Sequence, residues 1–153
     1  MRAVPSWDAY FLGIAHSVAV RSKDPSTQVG AVICRGRDIV AVGYNGFPPG
    51  LAETPTLWER PAKYDLVIHA EENAILRAAR SGVSIVDSCL YVTLPPCQKC
   101  ARLIVAAGIK RVIFDSDRWE HYSETLTGLH GFNTASKILS DCGVLIEGAE
   151  SCL

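Results

Sequence analysis

Two short motifs constrain the fold of this chain more than any other feature of its sequence. "HAE" (69–71) opens a segment rich in helix formers, and "PCQKC" (96–100) opens the next helical segment, with one strand-like run between them. Helices that are joined through a strand of the same sheet can begin at the same edge of that sheet. The motifs therefore predict an α/β fold in which two helix N-termini meet.

Hydrophobic patterning supports such a fold. Apolar residues recur at helical spacing over 7–22, and β-branched runs over 28–34 and 38–44 predict a hairpin. The proline-rich segment 45–66 and the polar segment 115–131 are predicted to be loops. The other predicted elements are a helix over 69–80, a strand over 89–93, a helix over 97–107, a strand over 111–115, a helix over 132–141 and a strand over 143–147. The expected fold class is a three-layer α/β sandwich, with a five-stranded mixed β-sheet flanked by helices.

Length and composition exclude several classes of protein. A chain of 153 residues suits one domain, 1–153, whose core needs no disulfides. No apolar run approaches the roughly 18 residues of a membrane helix, and no signal peptide is recognisable at the start. We therefore expect no membrane partner and a cytoplasmic protein, in the host cytoplasm if a phage encodes it, with its six cysteines reduced. The net charge of -1 argues against nucleic acid as a partner.

The cysteine motif has the spacing of a metal site. Cys97 and Cys100 lie at i and i+3 in a first helical turn, where the helix dipole favours thiolates. With His69 they give three soft ligands, and three protein ligands with an open fourth position are typical of a catalytic zinc. Two alternatives are a redox dithiol, which leaves "HAE" unused, and a closed structural zinc with a fourth ligand from Cys34, Cys89 or Cys142.

Glu71 favours the catalytic interpretation. If His69 stands at the very start of its helix, both side chains can reach a cavity beyond the helix end. A carboxylate there can take a proton from activated water and return it to a departing amine. The alternative is that Glu71, like Glu72, only complements the helix dipole.

The ordered H-x-E and P-C-x-x-C pair resembles the signature of the zinc-dependent cytidine deaminase superfamily. Four stretches resemble its deoxycytidylate deaminase family: "RSKDPSTQVGAVI" (21–33), "GYNGFPPG" (43–50), "KYDLVIHAEENAI" (63–75) and "PPCQKCARLIVAAGIKRVIF" (95–114). The resemblance runs nearly end to end and is weakest over 51–61 and after Asp117. It implies a cytidine deaminase-like fold and the hydrolysis of dCMP to dUMP and ammonia, which feeds dTMP synthesis.

The resemblance also implies roles for individual residues. One zinc per chain would be bound by His69, Cys97 and Cys100, since 45–68 lacks the His or Cys with which some relatives hold a second zinc. Glu71 would shuttle protons while zinc-activated water attacks C4 of the base. Asn45 would hold the sugar, and the backbone N–H of Ala70 would contact the pyrimidine edge.

Further contacts are candidates only. The phosphate candidates are Arg21, Ser22 and Lys23, whose alternative is a solvated helix end. Trp119 and Tyr122 would close over the base or else serve in packing. Many relatives are hexamers, activated by dCTP and inhibited by dTTP with Mg²⁺. The resemblance therefore implies a homo-oligomer and places an allosteric site at Tyr44, Asn45 and Gly46.

Other functions remain open at this point. Rival substrates are dCTP, 5-modified dCMP and free cytidine, and a tRNA adenosine deaminase is a more distant possibility. A non-catalytic sensor of dCTP and dTTP would form a different class. Glu71 argues against the sensor because a binding protein needs no proton shuttle beside its metal.

Overall fold

The computed structural model of the chain describes residues 1–152, and of residues 124–130 it describes only the backbone. The elements in this range, in chain order, are α1 (Trp7–Ala19), β1 (Gly30–Arg35), β2 (Asp38–Tyr44), a 3₁₀ helix (Pro55–Trp58), α2 (Ala62–Leu66), α3 (Ala70–Arg80), β3 (Cys89–Val92), α4 (Gln98–Ala106), β4 (Arg111–Asp115), α5 (Ser116–His130), α6 (Phe132–Asp141) and β5 (Leu145–Ala149). None of these helices has the length and apolar character that crossing a membrane requires.

The strands form one mixed sheet in the order β2-β1-β3-β4-β5. β1 is antiparallel to both β2 and β3, whereas β3, β4 and β5 run parallel. The helix α3 precedes β3 and the helix α4 follows it, and both helices pack on the same face of the sheet. The predicted five-stranded mixed sheet is confirmed.

Two apolar clusters hold the layers together, one on each face of the sheet. On one face, α1 packs Phe11, Leu12 and Ala15 against Val32 and Tyr91 of the sheet. On the other face, helices α3, α4 and α6 bury small and branched residues: Ala70, Ala74, Ala78, Ala101, Ile104, Ala135 and Leu139. Helices therefore cover both faces, as the predicted three-layer arrangement requires.

The prediction of a loop over 115–131 was wrong, because α5 occupies most of this segment. The segment has few apolar residues at helical spacing, and the signals for the helix lie at its two ends. The Asp115 carboxylate accepts a hydrogen bond from the Arg118 backbone N–H at 3.0 Å and caps the N-terminus. Gly131, with φ of 61°, closes the C-terminus in the left-handed conformation.

Two other segments also differ from the predictions. The segment 45–66 contains the 3₁₀ helix and α2, which are too short to give a periodic pattern. The last strand begins at Leu145, two residues later than expected. Its start is delayed because the backbone N–H of Val144 still bonds to the carbonyl of Leu139, at 2.8 Å, as α6 ends.

A glycine on β2 lets α3 approach the sheet closely. A Cβ added at Gly43 would lie 2.3 Å from the Ala70 carbonyl oxygen and 2.4 Å from the Ala74 nitrogen, both backbone atoms of α3. Such distances are far below van der Waals contact, so only glycine fits. The contact fixes the position of the first turn of α3, which carries the "HAE" motif.

Candidate metal centre and substrate cleft

The predicted metal ligands stand at two adjacent helix N-termini. His69 is the N-cap residue of α3, and Cys97 is the N-cap residue of α4; both have extended backbone conformations. Cys100 lies one turn further into α4 and is buried. Because β3 lies between α3 and α4 in the chain, the two N-termini meet beyond the carboxyl end of that strand.

The donor atoms have the spacing that zinc requires. His69 Nδ1 lies 3.5 Å from Cys97 Sγ and 3.5 Å from Cys100 Sγ, and all three donor atoms lie within 4.8 Å of one another. Zinc–nitrogen bonds of about 2.0 Å and zinc–sulfur bonds of about 2.3 Å at tetrahedral angles give nitrogen–sulfur separations of roughly 3.5 Å. One imidazole and two sulfurs also suit zinc chemically. The three residues therefore fit a zinc ion.

Electrostatics at the two cysteines favour a thiolate. A hydrogen bond from Cys100, together with the neighbouring His69, lowers the pKa of the Cys97 thiol to about 3. The same hydrogen bond, with burial, raises the pKa of Cys100 well above its ordinary value. These opposite shifts favour a thiolate at Cys97 and a thiol at Cys100 near neutral pH. A thiolate is the form that binds a metal.

Glu71 is almost completely buried next to the three donors, with 4% of its surface exposed. Burial raises the pKa of its carboxyl group, while the nearby His69 opposes that rise. Glu71 and His69 line the same cleft, although they stand only two residues apart on the chain. The expectation that both reach a cavity beyond the helix end is therefore confirmed.

The cleft itself is formed by loops and helix starts around these residues. Its walls come from the loop after α1, the end of β2, the α2 region and the segment between β3 and α4. Trp119 of α5 and Phe132 of α6 close one side, with their ring centroids 4.6 Å apart. The cleft therefore combines aromatic side chains with a buried carboxylate and with the candidate metal-binding triad of His69, Cys97 and Cys100.

The family model for the cytidine and deoxycytidylate deaminase zinc-binding region matches residues 5–116 of this chain. The chain belongs to this family. The matched region contains the metal-binding triad and Glu71, so the resemblance inferred from the two motifs is confirmed.

Relatives of this deaminase family extend the match over most of the chain. The deoxycytidylate deaminase of Homo sapiens is 39% identical over 151 residues, which cover 92% of this chain and 84% of the human one. That of Mycobacterium phage D29 is 39% identical over 126 residues, or 74% of this chain and 97% of the phage protein. The dCMP deaminase of cyanophage S-TIM5, crystallised with dCMP and dUMP, is 27% identical with a TM-score of 0.71 and covers 91% of this chain and 93% of that chain. The predicted cytidine deaminase-like fold is confirmed.

Asn45, the residue that the deaminase resemblance assigns to sugar binding, lines the cleft and is buried. Its side-chain amide donates to Asp24 Oδ2 at 3.0 Å and to the Thr27 carbonyl at 2.9 Å. Its Oδ1 accepts from the Val29 backbone N–H at 2.7 Å. Both amide hydrogens are therefore in use, and Oδ1 has capacity for one more hydrogen bond.

The predicted phosphate candidates stand outside the set of residues that line this cleft. The Ser22 hydroxyl is buried and donates to the Asn45 carbonyl at 2.8 Å. Lys23 pairs with Glu53 at 3.1 Å, and Arg21 is exposed. Of the three candidates, only Ser22 therefore has a described side-chain hydrogen bond to a residue that lines the cleft.

The remaining predicted substrate and allosteric residues lie in different parts of the structure. Ala70 and Trp119 line the cleft, whereas Tyr122 lines a second, neighbouring cleft. At the proposed allosteric motif, Tyr44 lies under the Arg77 guanidinium at 4.9 Å. Gly46 pairs with Ile68 through an isolated β-bridge.

Two cationic residues that line the cleft were not predicted from the sequence. Arg60 and Lys63 both line it, and Lys63 Nζ lies 2.7 Å and 2.8 Å from the two carboxylate oxygens of Asp24. Asp24 also accepts from the backbone N–H groups of Ser26 and Thr27. The family stretch that begins at Lys63 was the available signal, but nothing local in the sequence links it to Asp24.

Proposed function

We propose that this protein is a deaminase that hydrolyses dCMP to dUMP and ammonia. The observation that carries the proposal is the burial of Glu71 beside a zinc-competent triad at the bottom of the cleft. A sensor protein would gain nothing from a buried carboxylate there, since its burial is costly. The cyanophage relative that was crystallised with dCMP and dUMP supports the choice of substrate.

His69, Cys97 and Cys100 would hold one zinc ion per chain. When bound, zinc supplies a Lewis-acidic centre at which water ionises near neutral pH. The Glu71 carboxylate would take the proton of the attacking water and deliver it to the amine that leaves C4. The raised pKa of Glu71 suits both steps, because a group with a pKa closer to neutral accepts and returns a proton more readily.

Other residues of the cleft would orient the nucleotide. Ala70 is the first residue of α3, so its backbone N–H has no partner within the helix and can donate to the pyrimidine edge. The Asn45 Oδ1 would accept from a sugar hydroxyl with its remaining lone pair. Trp119 would form the wall against which the base lies.

The proposal includes regulation by dCTP and by dTTP with Mg²⁺ at the Tyr44-Asn45-Gly46 segment, and assembly as a homo-hexamer in the cytoplasm. The support for these points is the resemblance of residues 43–50 to regulated relatives. A phage protein is among the relatives, and the proposed location is the host cytoplasm if a phage encodes this chain.

Ammonia release by zinc-loaded protein tests the substrate. We expect dCMP to be turned over with a higher kcat/KM than dCTP, 5-methyl-dCMP, deoxycytidine and cytidine. The matched control is the same protein after chelation of zinc, which should be inactive and should recover when zinc is added back. Adding dCTP, or dTTP with Mg²⁺, tests regulation in the same assay.

Three outcomes would contradict the proposal, in whole or in the choice of substrate. A preference for a free nucleoside would mean that the protein does not select a nucleotide. No ammonia from any of the five compounds, with zinc bound, would favour the nucleotide sensor. A preference for dCTP or 5-methyl-dCMP would retain the reaction and change the substrate.

A further inference from the structure

One wall of the cleft contains an ion pair that has no part in the mechanism above. Lys63 Nζ lies 2.7 Å from Asp24 Oδ2 and donates to Asp24 Oδ1 at 2.8 Å. Only 1% of the Asp24 side chain and 12% of the Lys63 side chain are exposed. Removing two charges from water is costly, and apolar residues of similar volume often stabilise a fold equally well. Stability alone therefore does not explain why these two charges stand in the wall.

Asp24 connects the ion pair to Asn45. Asp24 Oδ2, which lies closest to Lys63 Nζ, also accepts a hydrogen bond from Asn45 Nδ2 at 3.0 Å. Asp24 Oδ1 accepts from the backbone N–H groups of Ser26 and Thr27, at 2.8 Å and 3.1 Å. A carboxylate that is held at both oxygens has little freedom to rotate, so the acceptor that it presents to Asn45 stays in one place.

This acceptor determines the orientation of the Asn45 amide. Asn45 Nδ2 donates to Asp24 and, at 2.9 Å, to the Thr27 carbonyl, while Oδ1 accepts from the Val29 backbone N–H at 2.7 Å. If the amide turned over, its oxygen would face two acceptor oxygens and its nitrogen would face a donor. The contact with Asp24 therefore keeps Oδ1, an acceptor, as the atom with capacity for one further hydrogen bond.

Lys63 is also connected to the metal-binding triad through the chain. It belongs to α2, and the residues that follow this helix lead to His69. Between them, Ile68 exchanges backbone hydrogen bonds with Gly46 at 2.9 Å and 3.1 Å. The neighbours of His69 and Asn45 are thus paired directly, and the ion pair adds a second connection between the same two segments. Lys63 is therefore placed to hold the Asn45 side chain at a defined position relative to the triad.

We propose that Lys63 is a positioning residue, which acts through Asp24 on Asn45 and makes the cleft selective for a nucleotide with a 3′-hydroxyl group. In dCMP the 3′-hydroxyl is the only free hydroxyl of the sugar, so it is the group that would donate to Asn45 Oδ1. This selectivity rests on the proposed function, because it requires a nucleotide substrate. The orientation of the Asn45 amide by Lys63 and Asp24 does not rest on it.

The kinetic arm of the test compares dCMP with 2′,3′-dideoxy-CMP, which lacks the 3′-hydroxyl. Zinc-loaded wild type should have the higher kcat/KM for dCMP. Lys63→Met should lower kcat/KM for dCMP by about three- to tenfold, the effect of one weakened hydrogen bond, mainly through a higher KM. It should leave kcat/KM for the dideoxy compound unchanged, whereas a purely structural role would lower both. Lys63→Arg, which keeps the charge, should restore most of the dCMP value.

Lys137→Met is the matched control. Lys137 also pairs with a carboxylate, that of Asp141 at 2.6 Å, but it is exposed on α6 and is absent from the lining of the cleft. Its replacement should leave the kinetics of both substrates unchanged.

A double-mutant cycle shows whether Lys63 acts through Asn45. In an Asn45→Ala background, Lys63→Met should cause no further loss of kcat/KM for dCMP, because the group that it positions is already absent. A further loss of the same size would mean that Lys63 acts on the nucleotide without Asn45.

The spectroscopic arm needs no turnover. The side-chain N–H signals of Asn45 are followed by heteronuclear NMR and assigned by their loss in Asn45→Ala. We expect Lys63→Met to shift these signals and Lys137→Met to leave them in place. Zinc content and melting temperature are measured for each variant. Lys63→Gln, which keeps a hydrogen-bond donor without the charge, replaces Lys63→Met if the latter does not fold.

The inference is overturned if Lys63→Met lowers kcat/KM equally for both substrates or for neither, or if its effect persists in the Asn45→Ala background. Equal kcat/KM for the two substrates in wild type would overturn the selectivity. If wild type releases no ammonia from dCMP, the proposed function fails. Asn45 signals that respond to Lys63→Met would then still support the positioning of the amide, and unchanged signals would overturn it.

Discussion

At the scale of single residues, burial determines what Glu71 can do. The same burial that raises the pKa of this carboxyl group also excludes bulk water from the protons it would transfer. The position of Glu71 beside the three candidate metal ligands was predictable, because their spacing within two motifs is local in the sequence. The pairing of Asp24 with Lys63 was not, since the two residues stand 39 positions apart and only the folded loops bring them together.

Replacing Glu71 with glutamine tests its role as a proton carrier. We expect Glu71→Gln to lower kcat for dCMP by about 10² to 10⁴, the usual effect of losing one acid–base group. The fold and a zinc content of one per chain should persist, because an amide of the same shape suits a buried position at least as well. Glu72→Gln, on the same helical turn, is the matched control and should retain turnover. Near-normal kcat in Glu71→Gln would show that another group carries the proton.

At the scale of elements, glycines determine how closely helices approach the sheet. Gly30 of β1 faces the backbone of α1: a Cβ added at Gly30 would lie 2.0 Å from the Ala15 carbonyl oxygen. Gly43 of β2 faces α3 in the same way. The strands were predictable from β-branched runs, whereas α5 was not. Its signals were the capping residues Asp115 and Gly131 at its two ends, which flank a segment without apolar periodicity.

Substitution of Gly43 should disturb the site through α3. The Cβ of Gly43→Ala would clash with backbone atoms that cannot move independently, so α3 must shift. We expect a loss of stability of about 1–3 kcal/mol, as for overpacked cores, and a lower zinc affinity because His69 moves with α3. Urea unfolding and competition with a zinc chelator measure the two effects.

The control for this prediction is Gly46→Ala. An added Cβ at Gly46 meets only the Tyr44 side chain, at 3.8 Å, so little must move. Equal stability of the two variants would show that the contact between β2 and α3 is not tight in solution.

At the scale of the whole molecule, one polar cluster connects α1 to three strands. Arg111 donates to both carboxylate oxygens of Asp8, at 3.0 Å and 2.9 Å, and also to Glu147. The Tyr91 hydroxyl donates to Asp8 at 2.9 Å. Asp8, Arg111 and Tyr91 join the first helix to the middle of the sheet, at strand ends remote from the metal-binding triad.

This cluster makes stability depend on pH. Hydrogen bonding to Arg111 holds the pKa of Asp8 below its ordinary value of 3.8. Its contribution is therefore fully present above the pKa of the unfolded chain and is lost as the pH falls through the lower, folded value. We expect Asp8→Asn to lose about 1–2 kcal/mol at pH 7, and less at pH 3, by urea unfolding.

Turnover of dCMP by Asp8→Asn should match wild type, because the cluster lies away from the catalytic cleft. Asp38→Asn, an exposed carboxylate at the start of β2, is the control and should change stability by less than about 0.5 kcal/mol. A constant difference between wild type and Asp8→Asn from pH 7 to pH 3 would contradict the assignment.

One wall of the cleft, formed by Asp24, Ser26, Thr27, Asn45 and Lys63, has a consequence for how this sequence can diverge. Asp24 holds Lys63, Asn45 and the turn at Ser26 and Thr27 with a single carboxylate. A change at any one of these positions leaves its partners with a buried polar group to satisfy. The loss of stability from replacing two of them together is therefore smaller than the sum of the losses from the two single replacements. Among natural variants, the residues of this wall should therefore be inherited as a set, and a new ligand preference of the cleft should arise first at positions outside the wall.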